Sequence, residues 1–358
     1  MINLIKLGAI WATDIVNLVH SPFEKATFAQ TANLPELETK LWSHLQEKHV
    51  KEGKFSYELP MPEDEGDAAL FQGLYLGLTV LKNADIITSM EATRKYFISG
   101  TLIRGYRSDG TPNDTTSNDA ATGMLFGLFM AREQCKDLIA LWVSRIIAAK
   151  YALTDLNGKP TKYGKLEDGW KTDPLRITLL LALLALGGFK NHYDALYKRY
   201  KQLLAYPKVS LLWWDTDYDT HRAAIHLYVL YKLTKDSIYL EGLARIHTLT
   251  KKSNNAWVNA LCSIAVKDVD MSILHTVDYD KRIGGVVEQK NEVPTVKWGD
   301  KIRAKRTLPL SQRGSQEFFW QRNMFSVNEW QGVRTASIHH SGLDWLLAYW
   351  MGKERGII

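Results

Sequence analysis

The chain reads as an all-α protein, an (α/α)6 toroid of six helical hairpins with one long irregular insertion before the last inner helix. Three observations predict it. Apolar residues recur at helical spacing from Leu34 to Trp350, with almost no strand signal. The helical stretches alternate between an apolar, small-residue-rich kind and a kind with a clear polar face. Each apolar stretch also opens on a polar cluster: Glu63-Asp64-Glu65-Gly66-Asp67, Thr116-Ser117-Asn118-Asp119, Thr172-Asp173-Pro174, Asp217-Tyr218-Asp219-Thr220-His221, Ser253-Asn254-Asn255-Ala256-Trp257 and Ser337-Ile338-His339-His340.

The apolar helices are expected over residues 67–81, 118–131, 174–186, 220–232, 255–266 and 341–351. The first two carry Gly73, Gly77, Gly123 and Gly127. A glycine inside a helix costs about 1 kcal/mol against alanine, and a sequence tolerates that where backbones approach closely, as in an inner ring. The amphipathic partners are expected over 34–48, 84–98, 136–153, 191–204, 237–251 and 269–277, each with one solvated face. Short turns such as Asn83-Ala84-Asp85 and Gly187-Gly188-Phe189 favour antiparallel neighbours. A solenoid would also pair its helices but would keep a fixed period. Here successive inner helices start at intervals of roughly 35 to 85 residues, which fits a closed barrel with variable loops.

No Pro/Gly/Ser-rich linker divides the 358 residues, so a single domain, 1–358, is expected. Residues 279–335 form the insertion. Segments 283–287 and 293–298 there suggest a small hairpin, and Ser315-Gln316-Glu317-Phe318-Phe319-Trp320-Gln321-Arg322 mixes aromatics, amides and an arginine. A loop of that length in a compact domain is usually functional or disordered, and its aromatic content argues against disorder.

Charged residues at 23% and hydrophobic residues at 46% are ordinary globular values. The net charge of +6 is scattered apart from the run at 297–306, which argues against a nucleic-acid partner and fits an acidic polysaccharide. Cys135 and Cys262 lie in apolar helical patterns and are expected as buried free thiols. Lys6 interrupts the apolar N-terminal run and no small-residue cleavage site follows, a poor signal peptide. The apolar stretch 177–188 is too short for a membrane span. A soluble chain is therefore expected, with its compartment and oligomeric state undecided.

If the apolar helices form an inner ring, their N-termini gather carboxylates, amides, histidines and tryptophans around one cavity mouth. Glu65 lies among four acids at a helix start, where crowding and partial burial raise a carboxyl pKa enough for it to donate a proton; capping explains at least two of the four. Ser117 or Asn118 can cap the second inner helix, which leaves Asp119 facing the cavity with Asp114 in the loop above. Glycoside cleavage needs two carboxylates flanking the scissile bond, and neighbouring inner-helix starts can supply them. The densest cluster is Trp213-Trp214-Asp215-Thr216-Asp217-Tyr218-Asp219-Thr220-His221-Arg222. Indole rings pack against sugar C–H faces while carboxylates accept from hydroxyls. Capping by Asp219 or Thr220 uses one of these groups only.

The stretch Glu65-Gly66-Asp67-Ala68-Ala69-Leu70-Phe71-Gln72-Gly73-Leu74-Tyr75 is similar to the acid-bearing helix of family 8 glycoside hydrolases. Asn118-Asp119-Ala120-Ala121-Thr122-Gly123-Met124-Leu125 resembles that family's second acidic helix. The resemblance implies Glu65 as proton donor and Asp119 or a nearby aspartate in substrate or water positioning. It covers two short motifs, and what it carries over is the wider class of six-hairpin glycosidase-like enzymes, which includes polysaccharide lyases.

Three functions follow. A hydrolase of a poly- or oligosaccharide would use Glu65 as general acid with Asp119 or Asp217 as base, with His221 a further catalytic candidate. A lyase acting on a uronate would use Tyr218, His221 or His339 as base and Asn255, Arg222 or Arg322 to neutralise the substrate carboxylate. A noncatalytic glycan-binding protein would keep the tryptophans alone. Substrate contacts are expected from Asp67, Asp114, Trp213, Trp214, Asp215, Tyr218, Arg222, Asn255, Trp257, Trp320, Arg322 and His339. The run Asp215-Thr216-Asp217-Tyr218-Asp219 begins like a calcium loop but lacks the following glycine and the closing glutamate. His339-His340, with His221 and His226, lacks the cysteine or H-E-x-x-H partners of a zinc site. No metal and no cofactor is expected.

Overall fold

The computed structural model describes residues 33–56, 58–59, 67–209, 218–251, 254–276, 295–298, 301–304 and 339–358. They form an all-α structure of paired helices. In chain order these are α1 (Leu34–His44), α2 (Ala68–Lys82), α3 (Ile86–Arg94), α4 (Asn118–Met130), α5 (Lys136–Ala148), α6 (Pro174–Leu186), α7 (Lys190–Leu204), α8 (Tyr218–Thr234), α9 (Ser237–Thr250), α10 (Ala256–Cys262) and α11 (Leu343–Glu354). Contacts group the chain into two compact units. One comprises Met1–Trp42, Lys208–Ala224 and Leu243–Ile358; the other comprises Ser43–Pro207 and Ile225–Gly242.

In the second unit, α2, α4 and α6 are buried almost end to end, while α3, α5 and α7 keep exposed polar faces. This is the expected alternation of inner and outer helices. Its helix starts follow from local chemistry. The Asp85 carboxylate accepts from the Thr88 amide, Ser117 Oγ from the Ala120 amide, and Asp173 Oδ1 from the Leu175 amide just ahead of Pro174 at the first helical position. The Thr172-Asp173-Pro174 opening is thus a cap. At its other end α2 stops at Asn83, whose left-handed backbone returns its N–H to the Thr79 and Val80 carbonyls.

The four glycines of α2 and α4 serve one contact. A Cβ built on Gly123 would lie 2.1 Å from the Leu70 carbonyl oxygen, one on Gly127 2.2 Å from the Gly73 oxygen, and one on Gly73 2.3 Å from the Gly123 carbonyl group. One on Gly77 would meet the Phe126 ring at 2.3 Å. Leu70 faces Gly123 and Gly73 faces Gly127, so the numbers rise together and the two helices run parallel. Their N-terminal ends therefore lie on the same side of the unit. A buried ring continues the series: His226 of α8 places Nε2 2.8 Å from Thr122 Oγ1 of α4 and Nδ1 3.1 Å from Thr178 Oγ1 of α6. Each threonine is the fifth residue of its helix, and each hydroxyl also reaches a carbonyl of its own first turn, Asn118 and Leu175 respectively.

Several expected elements end earlier than their apolar pattern. The helix expected over 136–153 stops at Ala148; Lys150 and Tyr151 adopt positive φ, and Ala152–Thr154 pairs antiparallel with Pro160–Lys165. The turn between those strands is held by Asp155, whose Oδ1 accepts from the Asn157 and Lys159 amides. Likewise the 84–98 helix gives way to a Phe97–Ile98/Thr101–Leu102 hairpin, and Gly105–Tyr106 pairs with Pro112–Asn113. Short ribbons of this kind, carried by turn residues, are the strands that helical periodicity hides. The first amphipathic helix changes at Leu45–His49 into a single π turn before Val50–Lys51 pairs with Lys54–Phe55.

In the first unit, α10 opens on Asn255, whose Oδ1 accepts from the Val258 amide, and packs against α11. The helix expected over 269–277 reduces to a 3-10 segment, Ser272–Thr276, beginning where Asp270 Oδ1 accepts from the Ser272 amide. His339-His340 forms a short extended segment rather than a helix start; Gly342 at φ +71° intervenes before α11. In the insertion, Thr295–Trp298 pairs with Lys301–Ala304, and 283–287 lies outside the described residues. Both cysteines are buried free thiols, as expected. Among the described residues, no helix is long and apolar enough to cross a membrane.

Gly123→Ala separates packing from propensity. Propensity alone would stabilise α4 by up to about 1 kcal/mol, whereas a methyl group against the Leu70 backbone has rigid atoms on both sides and should give a net loss of about 2 kcal/mol or more. A urea melt showing a midpoint at or above that of the parent would contradict the close parallel contact.

Candidate functional site

The second unit builds one polar cluster at the start of α4. Asn113 Oδ1 accepts from the Thr115 amide (3.2 Å) and hydroxyl (2.7 Å), and Thr161 Oγ1 donates to the Thr116 carbonyl at 3.0 Å. These bonds fix the loop as it enters the helix, where Ser117 caps. Asp119 sits half-buried in the first helical turn and Asp114, also half-buried, lies in the loop, its Oδ2 3.4 Å from the Leu156 amide. Thr116 Oγ1 and Asn118 Oδ1 are sealed from solvent, and neither has a hydrogen-bond partner among the described residues. Buried polar groups are paired in the great majority of cases, and each exception calls for an explanation such as a bound ligand or water.

Asp67, at the start of the adjacent α2, is bound more tightly to structure. Its carboxylate takes the Arg104 guanidinium at 3.0 Å, while the Arg104 carbonyl accepts from the Ala69 amide. The acid closes the helix start onto the Gly105–Tyr106 ribbon.

In the first unit the cluster lies in the first turn of α8. Asp219 pairs with Lys208 at 2.7 Å and with Arg222, one helical turn on. His221 is buried, and its Nδ1 accepts the indole N–H of Trp257 at 2.9 Å. Burial, with the Arg222 charge adding to it, pulls the His221 pKa down to about 3, so the ring is neutral and its lone-pair nitrogen is the one that Trp257 engages. Trp257 is itself fully buried, and Asn255 is engaged as a cap.

The sequence-predicted residues thus fall into three groups. Asp67, Asp114 and Asp119 lie around the α2 and α4 starts; His221, Arg222, Asn255 and Trp257 lie around the α8 and α10 starts. Glu65, Trp213, Trp214, Asp215, Asp217, Trp320 and Arg322 lie outside the described residues; Tyr218 and His339 are placed by backbone only, as the first residue of α8 and in the extended segment before α11. Thr116, Lys208 and Asp219 were not among the expected site residues. Thr116 and Asp219 belong to polar openings already visible in the sequence, whereas Lys208 pairs with Asp219 from eleven residues away, across a segment without periodicity. Among the described residues, no group of three or more His, Cys, Asp or Glu is arranged to hold a metal ion.

The polar clusters sit at the starts of buried helices in an all-α protein of paired helices. No protein-family model and no curated protein matches the chain. Two solved structures resemble it over most of its length. One is a glycoside hydrolase family 76 mannosidase from Bacteroides thetaiotaomicron VPI-5482, at 10% identity and TM-score 0.47, covering 91% of this chain and 100% of that one. The other is a family 76 α-mannanase from Bacteroides thetaiotaomicron, at 9% identity and TM-score 0.46, covering 90% and 95%. The family 8 likeness rests on its two motifs alone.

The neutral His221 has a consequence for stability. Its folded pKa lies below the ordinary value, so as pH falls from about 6.5 the unfolded chain takes up a proton that the folded chain does not, and stability drops until pH reaches about 3. At pH 5 this amounts to about 2 kcal/mol from this residue. Denaturant melts at pH 7 and pH 5 should show a smaller loss in His221→Gln than in the parent; equal losses would contradict a buried neutral imidazole.

Proposed function

We propose that this chain is a carbohydrate-active enzyme, a glycoside hydrolase that uses Asp119 as one of its two working carboxylates. One observation carries the reading: the half-buried Asp119 is preceded in the chain by Thr116 Oγ1 and Asn118 Oδ1, buried hydrogen-bonding groups that lack partners among the described residues. Sugar hydroxyls both donate and accept, and would satisfy such a pair beside an acid once the atoms that seal it from solvent give way to the ligand. The second carboxylate is assigned to Glu65, two residues before Asp67 in the chain, as proton donor. Glu65 lies outside the described residues, so this role stands on the sequence.

The first-unit cluster favours hydrolysis over elimination. A lyase needs a base and a cation for the substrate carboxylate. The basic nitrogen of His221 is engaged by Trp257, and the Arg222 charge is balanced by Asp219. Asn255 Oδ1 caps α10. These three residues act here as wall and ion pair around whatever the α8 start presents.

Neutral and acidic polysaccharides should be offered to the protein with two readouts, reducing ends and the ultraviolet absorbance of unsaturated uronates. Release of reducing ends without absorbance is expected, with Asp119→Asn lowering the rate at least about a hundredfold while the melting temperature holds. Reducing ends with absorbance would assign elimination instead. An Asp119→Asn variant as active as the parent would remove the assignment of Asp119.

A further inference from the structure

Outside the site described above, the second unit holds a histidine pair built by an irregular turn. His44 and His49 are five residues apart, a spacing that an α-helix turns to well-separated faces. The single π turn over Leu45–His49 brings them together, so that their Nε2 atoms are 3.2 Å apart and their ring centroids 5.0 Å. Inserted π turns of this kind recur at functional sites. His49 is buried and His44 half-buried. The His49 ring is also oriented from behind: its Nδ1 lies 2.7 Å from the Ser56 carbonyl oxygen, which can only accept, so Nδ1 carries the proton and Nε2 presents its lone pair to His44.

We propose that His44 and His49 form a two-imidazole site for a late first-row divalent metal ion such as zinc or copper. An imidazole that ligates metal through Nε2 characteristically donates its Nδ1 proton to a carbonyl or carboxylate, the arrangement His49 has with Ser56. Two nitrogens held at about 2.0 to 2.1 Å from one tetrahedral ion are about 3.3 Å apart, close to the separation here, which also lies at the long limit of an N–H hydrogen bond. Binding would need the His44 proton to move from Nε2 to Nδ1, with no net proton release, and water would complete the coordination. The ion would clamp the end of α1 to the Val50–Lys51/Lys54–Phe55 hairpin, which already closes through the Ser56 amide and the His49 carbonyl at 2.8 Å.

Zinc competition against a chromophoric chelator, on protein first stripped of metal, tests the site. The expected result is saturation at one zinc per chain, weakened at least tenfold by His44→Ala and unchanged by His192→Ala. Binding that does not saturate at one equivalent, or that His44→Ala leaves unchanged, would overturn the proposal. Copper electron paramagnetic resonance on the parent protein decides the matter independently of variant folding. Hyperfine coupling from two imidazole nitrogens is expected; one nitrogen or none would show that the pair is joined by a hydrogen bond only.

Discussion

The close parallel contact of α2 and α4 is the constraint from which the second unit follows. Carbonyls of one helix lie where the other would need a side chain, so glycine is required at Gly73, Gly123 and Gly127. Because the helices run in the same direction, their N-terminal ends, with Asp67 on one and Asn118 and Asp119 on the other, are held on one side. A polar cluster assembled from residues some fifty positions apart thereby rests on backbone packing rather than on loop geometry. The His226 bridge extends the arrangement by joining Thr122 and Thr178 at equivalent positions of α4 and α6.

Within that frame the acids divide by what they bind. Asp85 and Asp173 cap helices, Asp67 holds Arg104, and Asp219 holds Lys208 and Arg222. Their charges are engaged in the folding of the chain. At the start of α4 the cap is supplied by Ser117, and Asp119 stands half-buried in the first helical turn beside it.

Much of this was legible in the sequence, for identifiable reasons. Helix pairing follows from apolar spacing, and the starts of α4, α6 and α10 follow from Ser117, Asp173 and Asn255, because capping is a local interaction within a few residues. The glycines were legible as a close approach, and the alternation of apolar and amphipathic helices as its parallel direction, since every second helix of a hairpin series points the same way. The ribbons at Ala152–Thr154 and Phe97–Ile98 were hidden because residues with helical periodicity continue into them and only the turn chemistry marks the break. The roles of His226, His221 and the His44–His49 pair were not legible. Each depends on a partner distant in sequence or, for the last pair, on a π turn that changes which residues share a face.

The central claim is that the segment entering α4 is where a glycan is held. Backbone hydrogen exchange on Asp119→Asn, with and without the oligosaccharide that the parent protein cleaves, measures this directly without consuming the ligand. Slowed exchange concentrated at residues 115–120 is the predicted result. Protection confined to other segments, with 115–120 unchanged, would contradict it.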